Sequence, residues 1–253
     1  EYVIAGQGTI GLEILNEYKD IDMIFVPVGG GGILSGIALA VKSINPNIKV
    51  IGVEAENASS MKKALEVGKP IFIDDCKTIA DGIAVAKVGD ITYELVKKYV
   101  DEIITVSDDD IAQALLFLLE KAKVVAEGAG ATSLAGLMSS KIDIKGKTAC
   151  CVISGGNIDV NNIEKIVNKA QILQARRVRF VVYLSDTVGQ INKLTKILMN
   201  NYANILYLNQ TRYNIDLNIT EQELSVVIEC KNREHSEHIL NELEKEGFKI
   251  KRK

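Results

Sequence analysis

The feature that most constrains the fold is a regular alternation of short apolar runs with helix-length amphipathic stretches, which extends from Tyr2 to about Gln174. The short runs predict strands at Tyr2–Ala5, Met23–Val28, Val50–Glu54, Ile103–Val106 and Thr148–Ile153. The longer stretches predict helices at Leu12–Tyr18, Leu34–Ser43, Ser60–Val67, Ile91–Val100, Asp108–Lys123, Ala131–Ser139 and Asn161–Leu173. Such alternation requires crossover connections, which produce a parallel sheet covered by helices on both faces. We therefore predict an α/β fold with a parallel sheet.

The order of elements changes after Arg176 and Arg177. Here the pattern predicts a strand at Val178–Leu184, a helix at Val188–Asn201, strands at Ile205–Arg212 and Glu223–Cys230, a helix at Glu234–Glu246 and a strand at Lys249–Arg252. This β-α-β-β-α-β order is that of the ferredoxin-like module. The sequence therefore predicts two domains, residues 1–174 and 178–253.

Four consecutive glycines, Gly29–Gly32, separate the predicted strand at Met23–Val28 from the helix that follows it. A loop without β-carbons can turn several amides toward one point, and a helix N-terminus adds positive potential for a phosphate. A tight strand-to-helix connection is the structural alternative, although it needs only one or two glycines. Because Ile33-Leu34-Ser35 follows the glycines, the lysine of a nucleoside-triphosphate loop is missing. The run therefore predicts an anion site of another kind.

A second glycine motif, Gly6–Gly11, matches the dinucleotide fingerprint G-x-G-x-x-G letter for letter. A nicotinamide site also needs an acidic residue at the end of the next strand, and that position holds Val28-Gly29. We therefore interpret the motif as a tight junction between a strand at Tyr2–Ala5 and a helix, and we expect no nicotinamide binding.

The composition excludes several classes of partner. The formal net charge is -3 and no long basic run is present, so nucleic acid is not an expected partner. Charged residues interrupt every apolar helical stretch, so no membrane-spanning segment is expected. The four cysteines lack C-x-x-C spacing and are expected to be core residues in a reducing compartment. We expect a cytoplasmic protein.

A further loop, Ser154-Gly155-Gly156, follows the predicted strand at Thr148–Ile153. With this loop and the glycine run at Gly29–Gly32, the chain resembles the catabolic threonine ammonia-lyases (threonine dehydratases), which are fold-type-II pyridoxal-phosphate enzymes. The matching stretches are VIAGQGTIGLEIL at Val3–Leu15, VPVGGGGILSGIA at Val26–Ala38, GVEAENASSM at Gly52–Met61, TIADGIAV at Thr78–Val85, VVAEGAGATSLAGL at Val124–Leu137 and VISGGNIDV at Val152–Val160. The resemblance covers essentially the whole chain, and the C-terminal part resembles an ACT domain.

The resemblance implies a cofactor site for pyridoxal 5'-phosphate. The phosphate loop falls on Gly29, Gly30, Gly31, Gly32 and the amide of Ile33. Ser154 matches the serine that contacts the pyridine nitrogen, and Gly82 is expected near the open face of the cofactor. The implied reaction converts L-threonine to 2-oxobutanoate and ammonia, with L-serine as a second substrate. Serine racemase or diaminopropionate lyase chemistry on the same scaffold is the alternative.

The resemblance also implies a cation site, whose positions align to Glu54, Ala58 and Ser60. Serine stands where some relatives have aspartate, and the lost negative charge favours a monovalent ion such as potassium over a divalent one. The alternative is that Glu54 is an ordinary carboxylate at the end of a strand and binds no cation.

The chain departs from the family at its most reactive residue. The Schiff-base lysine of these enzymes lies in a Ser-Phe-Lys-x-Arg-Gly context, and no lysine of this chain has that context. We therefore expect no catalytic residue in this chain, which looks like an N-terminally truncated fragment that begins at Glu1 and is inactive alone. A non-catalytic amino-acid-binding regulatory protein is the alternative from another functional class.

In the second domain, the resemblance implies an amino-acid effector pocket shared between paired copies. Its positions fall on Asp186, Val188 and Gly189 after the first strand and on Asn204 and Ile205 at the second strand. ACT domains commonly have proline where this chain has Val188. A purely dimerising role is the alternative, and either role implies a homo-oligomer, a dimer or a tetramer.

Overall fold

A computed structural model describes residues 1–212 and 217–252 of the chain. Two compact units make up this structure, Glu1–Val167 and a second unit that begins at Asn168. The predicted domain limits, 1–174 and 178–253, place the division seven to ten residues further along the chain.

The first unit is built on a parallel sheet. Its strands are β1 (Met23–Pro27), β2 (Lys49–Ala55), β3 (Glu102–Val106) and β4 (Ala149–Cys151), in the order β3-β2-β1-β4. The helices are α1 (Tyr2–Glu17), α2 (Gly32–Ile44), α3 (Ser60–Val67), α4 (Asp90–Tyr99), α5 (Asp108–Phe117) and α6 (Gly128–Met138), and α7 (Val160–Leu173) begins in this unit and ends in the second. In the register, Phe25 of β1 pairs with Ile51 of β2 and with Cys151 of β4. The predicted α/β fold with a parallel sheet is confirmed.

The central strand β1 is buried along its whole length, and its two faces contribute to two separate cores. Ile24 and Val26 pack with apolar side chains of α2 and α4. Met23 and Phe25 pack with side chains of α5 and α6 on the other face. This two-sided burial explains why the strand reads as a continuous apolar run rather than as an alternating one.

The strand predicted at Tyr2–Ala5 is wrong, because these residues form the start of helix α1. The G-x-G-x-x-G motif therefore lies inside a helix, and its interpretation as a strand-helix junction is wrong as well. Two of its glycines, Gly8 and Gly11, permit close contact with α2, since a β-carbon on Gly8 would lie 3.1 Å from the carbonyl oxygen of Gly36. On the facing helix, a β-carbon on Gly36 would lie only 2.4 Å from the carbonyl oxygen of Ile4.

The second unit contains an antiparallel sheet with helices packed on one face. Its elements are β5 (Arg177–Ser185), α8 (Gln190–Asn200), β6 (Asn204–Thr211), β7 (Glu221–Glu229), α9 (Arg233–Lys245) and β8 (Lys249–Arg252). The strand order is β6-β7-β5-β8. Phe180 and Val182 of β5 pack with Leu194 of α8 and Ile239 of α9. The elements follow the predicted β-α-β-β-α-β order.

Across the described ranges, the structure has no helix with both the length and the apolar character needed to cross a membrane.

Candidate functional site

Two loops leave the same edge of the parallel sheet. The glycine loop, Gly29–Gly32, follows β1, and the loop that contains Ser154 follows β4, the strand that pairs with β1. The amide of Val152 extends this pairing by donating to the carbonyl oxygen of Phe25 at 3.0 Å. Ligands of open parallel sheets bind beyond the carboxyl ends of the strands, so this edge is the candidate site.

The glycine loop passes directly into helix α2. Gly31 is the N-cap residue in a left-handed conformation with φ of 88°, and the first helical hydrogen bond runs from Ser35 N to Gly31 O at 2.9 Å. Helix geometry therefore leaves the amides of Gly32, Ile33 and Leu34 without intrahelical acceptors. A β-carbon on Gly30 or Gly32 would meet no atom within 4 Å, so the space in front of the loop is open. Open space, free amides and the helix dipole together suit an anion.

Side chains from α3 and α4 hold the back of the glycine loop. Thr92 Oγ1 lies 2.7 Å from the carbonyl oxygen of Gly30 and 2.9 Å from that of Gly89, and the hydroxyl can donate to either. A β-carbon on Gly31 would lie 2.6 Å from Met61 Cε and 3.0 Å from Thr92 Cβ. Sequence reasoning missed the contacts of Thr92 and Met61 with the loop, because both residues lie far from it along the chain.

The loop after β4 rests on the start of helix α6. The amide of Glu127 donates to the carbonyl oxygen of Gly155 at 3.1 Å. A β-carbon on Gly130 would lie 2.7 Å from that same oxygen, so α6 approaches the loop as closely as a glycine permits. This contact fixes the backbone next to Ser154, which is half-buried.

Gly82 lies in a short 3₁₀ turn, Asp81–Ile83, beside the glycine loop. A β-carbon on Gly29 would lie 3.1 Å from Ile83 Cα. The carboxylate of Glu127 lies close to both neighbouring segments, since β-carbons on Gly82 and Gly155 would be 3.3 and 2.4 Å from its Oε1. The structure thus brings Gly82 and the loop of Ser154 together around Glu127. The sequence signal for Glu127 was an acidic residue directly before a glycine-rich helix start.

A cavity of about 460 Å³ opens beside Glu127 in the first unit. Its polar lining includes Thr78, Asp81, Asn157, Asp159 and Lys165. The cavity provides room for a polar small molecule next to the segments that carry Gly82 and Ser154.

Glu54 is fully buried at the end of β2 and caps helix α3. Its Oε1 accepts a hydrogen bond from the amide of Met61 at 2.7 Å, and its Oε2 accepts one from the amide of Lys62 at 2.9 Å. Burial raises the pKa of Glu54 from 4.5 to about 7, and the two amide hydrogen bonds lower it in part. The carboxylate therefore has a structural role at the start of α3.

The two other positions of the cation prediction lie next to this cap. Ala58 is buried in a 3₁₀ turn, Glu56–Ala58, and Ser60 begins α3. Ser60 Oγ is buried and has no hydrogen-bond partner among the described residues. Within residues 1–212 and 217–252, no group of three or more His, Cys, Asp or Glu side chains is placed to hold a metal ion. One carboxylate and one unpartnered hydroxyl suit a weakly bound monovalent cation better than a divalent one.

Four lysines of the first unit, none of which has the family's Schiff-base context, are Lys42, Lys62, Lys63 and Lys87. Lys42 pairs with Asp101, with 2.7 Å between Nζ and Oδ2. Lys62 and Lys63 lie on α3, and Lys87 is exposed.

The predicted effector positions lie at opposite ends of the second sheet. Gly189 is the N-cap of α8 with φ of 96°, Val188 is fully exposed, and Asp186 Oδ1 lies 2.9 Å from Arg212 Nη2. Asn204 and Ile205 begin β6 instead.

The strand register gives the distance between these two groups of effector positions. β7 pairs Glu221 with Ser185 and Glu229 with Asn204, so the two groups are roughly 25 Å apart along the strands. A single copy does not bring these positions together.

Comparison with known proteins agrees with this geometry. The family described as "Pyridoxal-phosphate dependent enzyme" matches residues 1–155. An L-threonine ammonia-lyase from Thermotoga maritima is 46% identical over 250 residues, which are 99% of this chain and 62% of that protein. The chain thus spans about three-fifths of the length of this relative.

Solved structures are similar as well. The processed form of threonine deaminase isoform 2 from Solanum lycopersicum has a TM-score of 0.63 and 37% identity, over 66% of this chain and 49% of that chain. Maize serine racemase has a TM-score of 0.61 and 35% identity, over 69% of this chain and 54% of that chain. The family model matches residues 1–155, and the glycine loop at the sheet edge agrees with that match. The chain therefore belongs to the pyridoxal-phosphate dependent enzymes.

Proposed function

We propose that this chain is part of a lyase that deaminates L-threonine to 2-oxobutanoate and ammonia by β-elimination of water, with L-serine as a second substrate. The observation that carries the proposal is the open, amide-lined glycine loop at the sheet edge, beside the loop of Ser154. The similarity to proteins named threonine ammonia-lyase and threonine deaminase supports the choice of substrate.

The residues present fit the phosphate end of pyridoxal 5'-phosphate. The amides of Gly29–Gly32 and Ile33 would hold it, because α2 begins there and the positions of Gly30 and Gly32 leave open space. Thr92 and Met61 support the loop from behind. When bound, the cofactor supplies an electron sink for the α-carbon of an amino acid.

Ser154 would contact the pyridine nitrogen at the opposite end of the cofactor. A neutral hydroxyl does not hold that nitrogen protonated as a carboxylate would, so the residue keeps the electron sink weak. A weaker sink favours loss of the β-hydroxyl over the reprotonation that transamination requires. Ser154 thus supports elimination as the reaction, and Gly82 leaves room for backbone close to the cofactor's open face.

We propose a monovalent cation, such as potassium, at Glu54, the carbonyl of Ala58 and Ser60. The buried, unpartnered Ser60 Oγ supports this site, because a cation would supply the partner that this hydroxyl lacks. A serine at this position, in place of a carboxylate, also favours deamination over the alternative of serine racemisation.

The glycine loop can be tested with pyridoxamine 5'-phosphate, whose amine cannot form a Schiff base with a lysine. We expect fluorescence titration to detect saturable binding to the chain and at least tenfold weaker binding to Gly30→Asp, because a carboxylate in the open space repels the phosphate. Gly6→Asp is the matched control, since its β-carbon also meets no atom within 4 Å. Equal binding by all three proteins would contradict the proposed site.

Activity is tested separately. We expect the purified chain, given pyridoxal phosphate and L-threonine, to form 2-oxobutanoate no faster than the free cofactor does, because no lysine has the family's Schiff-base context. Turnover above that background would refute the expected inactivity. Binding of L-threonine without turnover, in the absence of any cofactor binding, would favour the non-catalytic regulatory role instead.

For the second unit we propose an ACT-type regulatory role in a homo-oligomer. The β-α-β-β-α-β sheet and the left-handed Gly189 at the first strand-helix turn support it. Because Asp186–Gly189 and Asn204–Ile205 lie at opposite ends of one sheet, an effector pocket that uses both needs two copies. A purely dimerising role without an effector is the alternative.

A further inference from the structure

A second cavity, of about 520 Å³, lies in the second unit and carries an unusual charge. It lies where β5 begins, next to helix α9 and the last residue of β8. Four arginines line it, Arg177, Arg179, Arg233 and Arg252, whereas Glu237 is the single acidic residue of its lining. Nothing in the proposed lyase function uses these residues.

The arginines are only partly neutralised by their neighbours. Arg252 Nη1 lies 2.7 Å from Glu237 Oε2, and this pair uses the carboxylate of the lining. Arg233 Nη2 donates to the carbonyl oxygen of Leu173 at 3.1 Å, which satisfies a donor but leaves the charge. Arg179 lies exposed on β5. The cavity therefore has an excess of positive charge.

Arg177 provides an independent sign of a missing acceptor. Its Nη1 donates to Asn168 Oδ1, which fixes one edge of the guanidinium. Its Nε is buried and has no hydrogen-bond partner in the part of the chain that the structure describes. A buried donor without an acceptor costs free energy, and an oxyanion bound side-on to Nε and Nη2 would remove that cost.

The rest of the lining is apolar. Ile172, Val178, Val227 and Leu240 contribute side chains to the same cavity. A bound molecule would therefore meet guanidinium groups at one part of its surface and hydrocarbon at another. This combination favours a ligand with a strongly charged end and an apolar or aromatic body.

We propose that this cavity is a binding site for a small organic phosphate. A phosphate monoester carries nearly two negative charges and matches the bidentate geometry of arginine, whereas a monocarboxylate would leave most of the positive charge uncompensated. None of the predicted effector positions lines this cavity, and Asp186 follows β5 at the end opposite to Arg177. It is also independent of the glycine loop, which lies in the first unit.

The test is calorimetric titration of the full chain with phenyl phosphate and with inorganic phosphate. The Gly30→Asp background is used, so that the glycine loop does not contribute to phosphate binding. We expect saturable binding of both probes, tighter for phenyl phosphate because its ring contacts the apolar lining, and weaker at higher salt. Equal affinity for the two probes would overturn the assignment to organic phosphates, because the site would then recognise inorganic phosphate alone.

Variants locate the site. Arg179→Gln should weaken phenyl phosphate binding about tenfold through the loss of one charge-assisted contact. Glu237→Gln should tighten binding several-fold, because it releases Arg252 from its pair. Arg212→Gln is the matched control: it removes the same charge near the effector turn and should leave the affinity unchanged.

Several outcomes would overturn the proposal. The first is that neither probe binds saturably. The second is that Arg179→Gln leaves the affinity for phenyl phosphate intact. The third is that Arg212→Gln lowers this affinity, which would assign the anion to the effector turn. Circular dichroism of each variant shows whether the fold is kept. Should Arg179→Gln not fold, the tightening by Glu237→Gln still decides the question.

Discussion

At the scale of single residues, Gly31 carries the strictest requirement of the glycine loop. Its φ of 88° suits glycine, and Met61 and Thr92 fill the space that a side chain would need. Gly31→Ala should therefore lower the free energy of unfolding by about 2 kcal/mol. Gly30→Ala, which faces open space, should change it by less than about 0.5 kcal/mol. Urea unfolding of both variants measures the difference, and equal effects would contradict the described loop.

Glu54 makes stability depend on pH in an unusual direction. Its pKa is raised from 4.5 to about 7 in the folded chain, so between these pH values the folded state binds more protons at this residue than the unfolded state. The stabilisation is complete below pH 4.5 and is lost as the pH rises through 7. We expect a loss on the order of 3 kcal/mol that Glu54→Gln does not show. Urea unfolding of the two proteins across this pH range compares their slopes.

The proposed cation modifies the same titration. An ion at Glu54 favours the carboxylate, so potassium chloride should restore stability above pH 7 relative to tetramethylammonium chloride at equal ionic strength. The restoring effect should be absent in Glu54→Gln. If the two salts act alike on the wild-type chain, the carboxylate only caps α3.

Residues of the site differ in how visible they are in the sequence. The glycines at 29–32 could be found because they are consecutive and follow an apolar run. Thr92 and Met61 reach the glycine loop only through the folded chain, and their positions in the sequence carry little sign of this contact. Long-range contacts of this kind cannot be read from spacing alone.

At the scale of elements, α1 shows where local preference fails. Val3 and Ile4 are β-branched and favour a strand, yet packing on α2 makes Tyr2–Glu17 a helix. Gly8 and Gly11 of the motif that resembled a nucleotide fingerprint serve this packing. By contrast, β1 and β2 lie at the centre of the sheet and are buried along nearly their whole length, so their apolar pattern identifies them.

The contact between α1 and α2 gives a prediction for these elements. Gly36→Ala should lower the free energy of unfolding by about 2 kcal/mol, because its β-carbon would lie 2.4 Å from the carbonyl oxygen of Ile4. Gly6→Ala, which meets nothing within 4 Å, should stabilise α1 by up to about 1 kcal/mol. Hydrogen exchange of the α1 amides should accelerate in the first variant and slow in the second. The reverse order would contradict the described packing.

At the scale of the whole molecule, the two units could be anticipated because their element orders differ. Alternating strands and helices predict a parallel sheet, and the β-α-β-β-α-β order predicts the antiparallel one. The sequence could not give the position of the division, since α7 runs across it without a change in pattern.

Assembly is the prediction at this scale. We expect the chain to form a dimer or a tetramer, because the effector positions at the two ends of the second sheet need a second copy to meet. Sedimentation equilibrium over a range of concentrations measures the mass. A monomer at every concentration would contradict both the assembly and the shared pocket.

The main-chain character of the glycine loop has one more consequence. Peptide N–H groups do not gain or lose protons in the pH range where proteins are stable. An anion-binding site made of them therefore keeps the same charge throughout that range. Any pH profile of phosphate-end affinity should then follow the second ionisation of the phosphate itself. The guanidinium groups of the arginine-lined cavity likewise keep their charge, whereas histidine-based phosphate sites bind more weakly as the imidazole is neutralised.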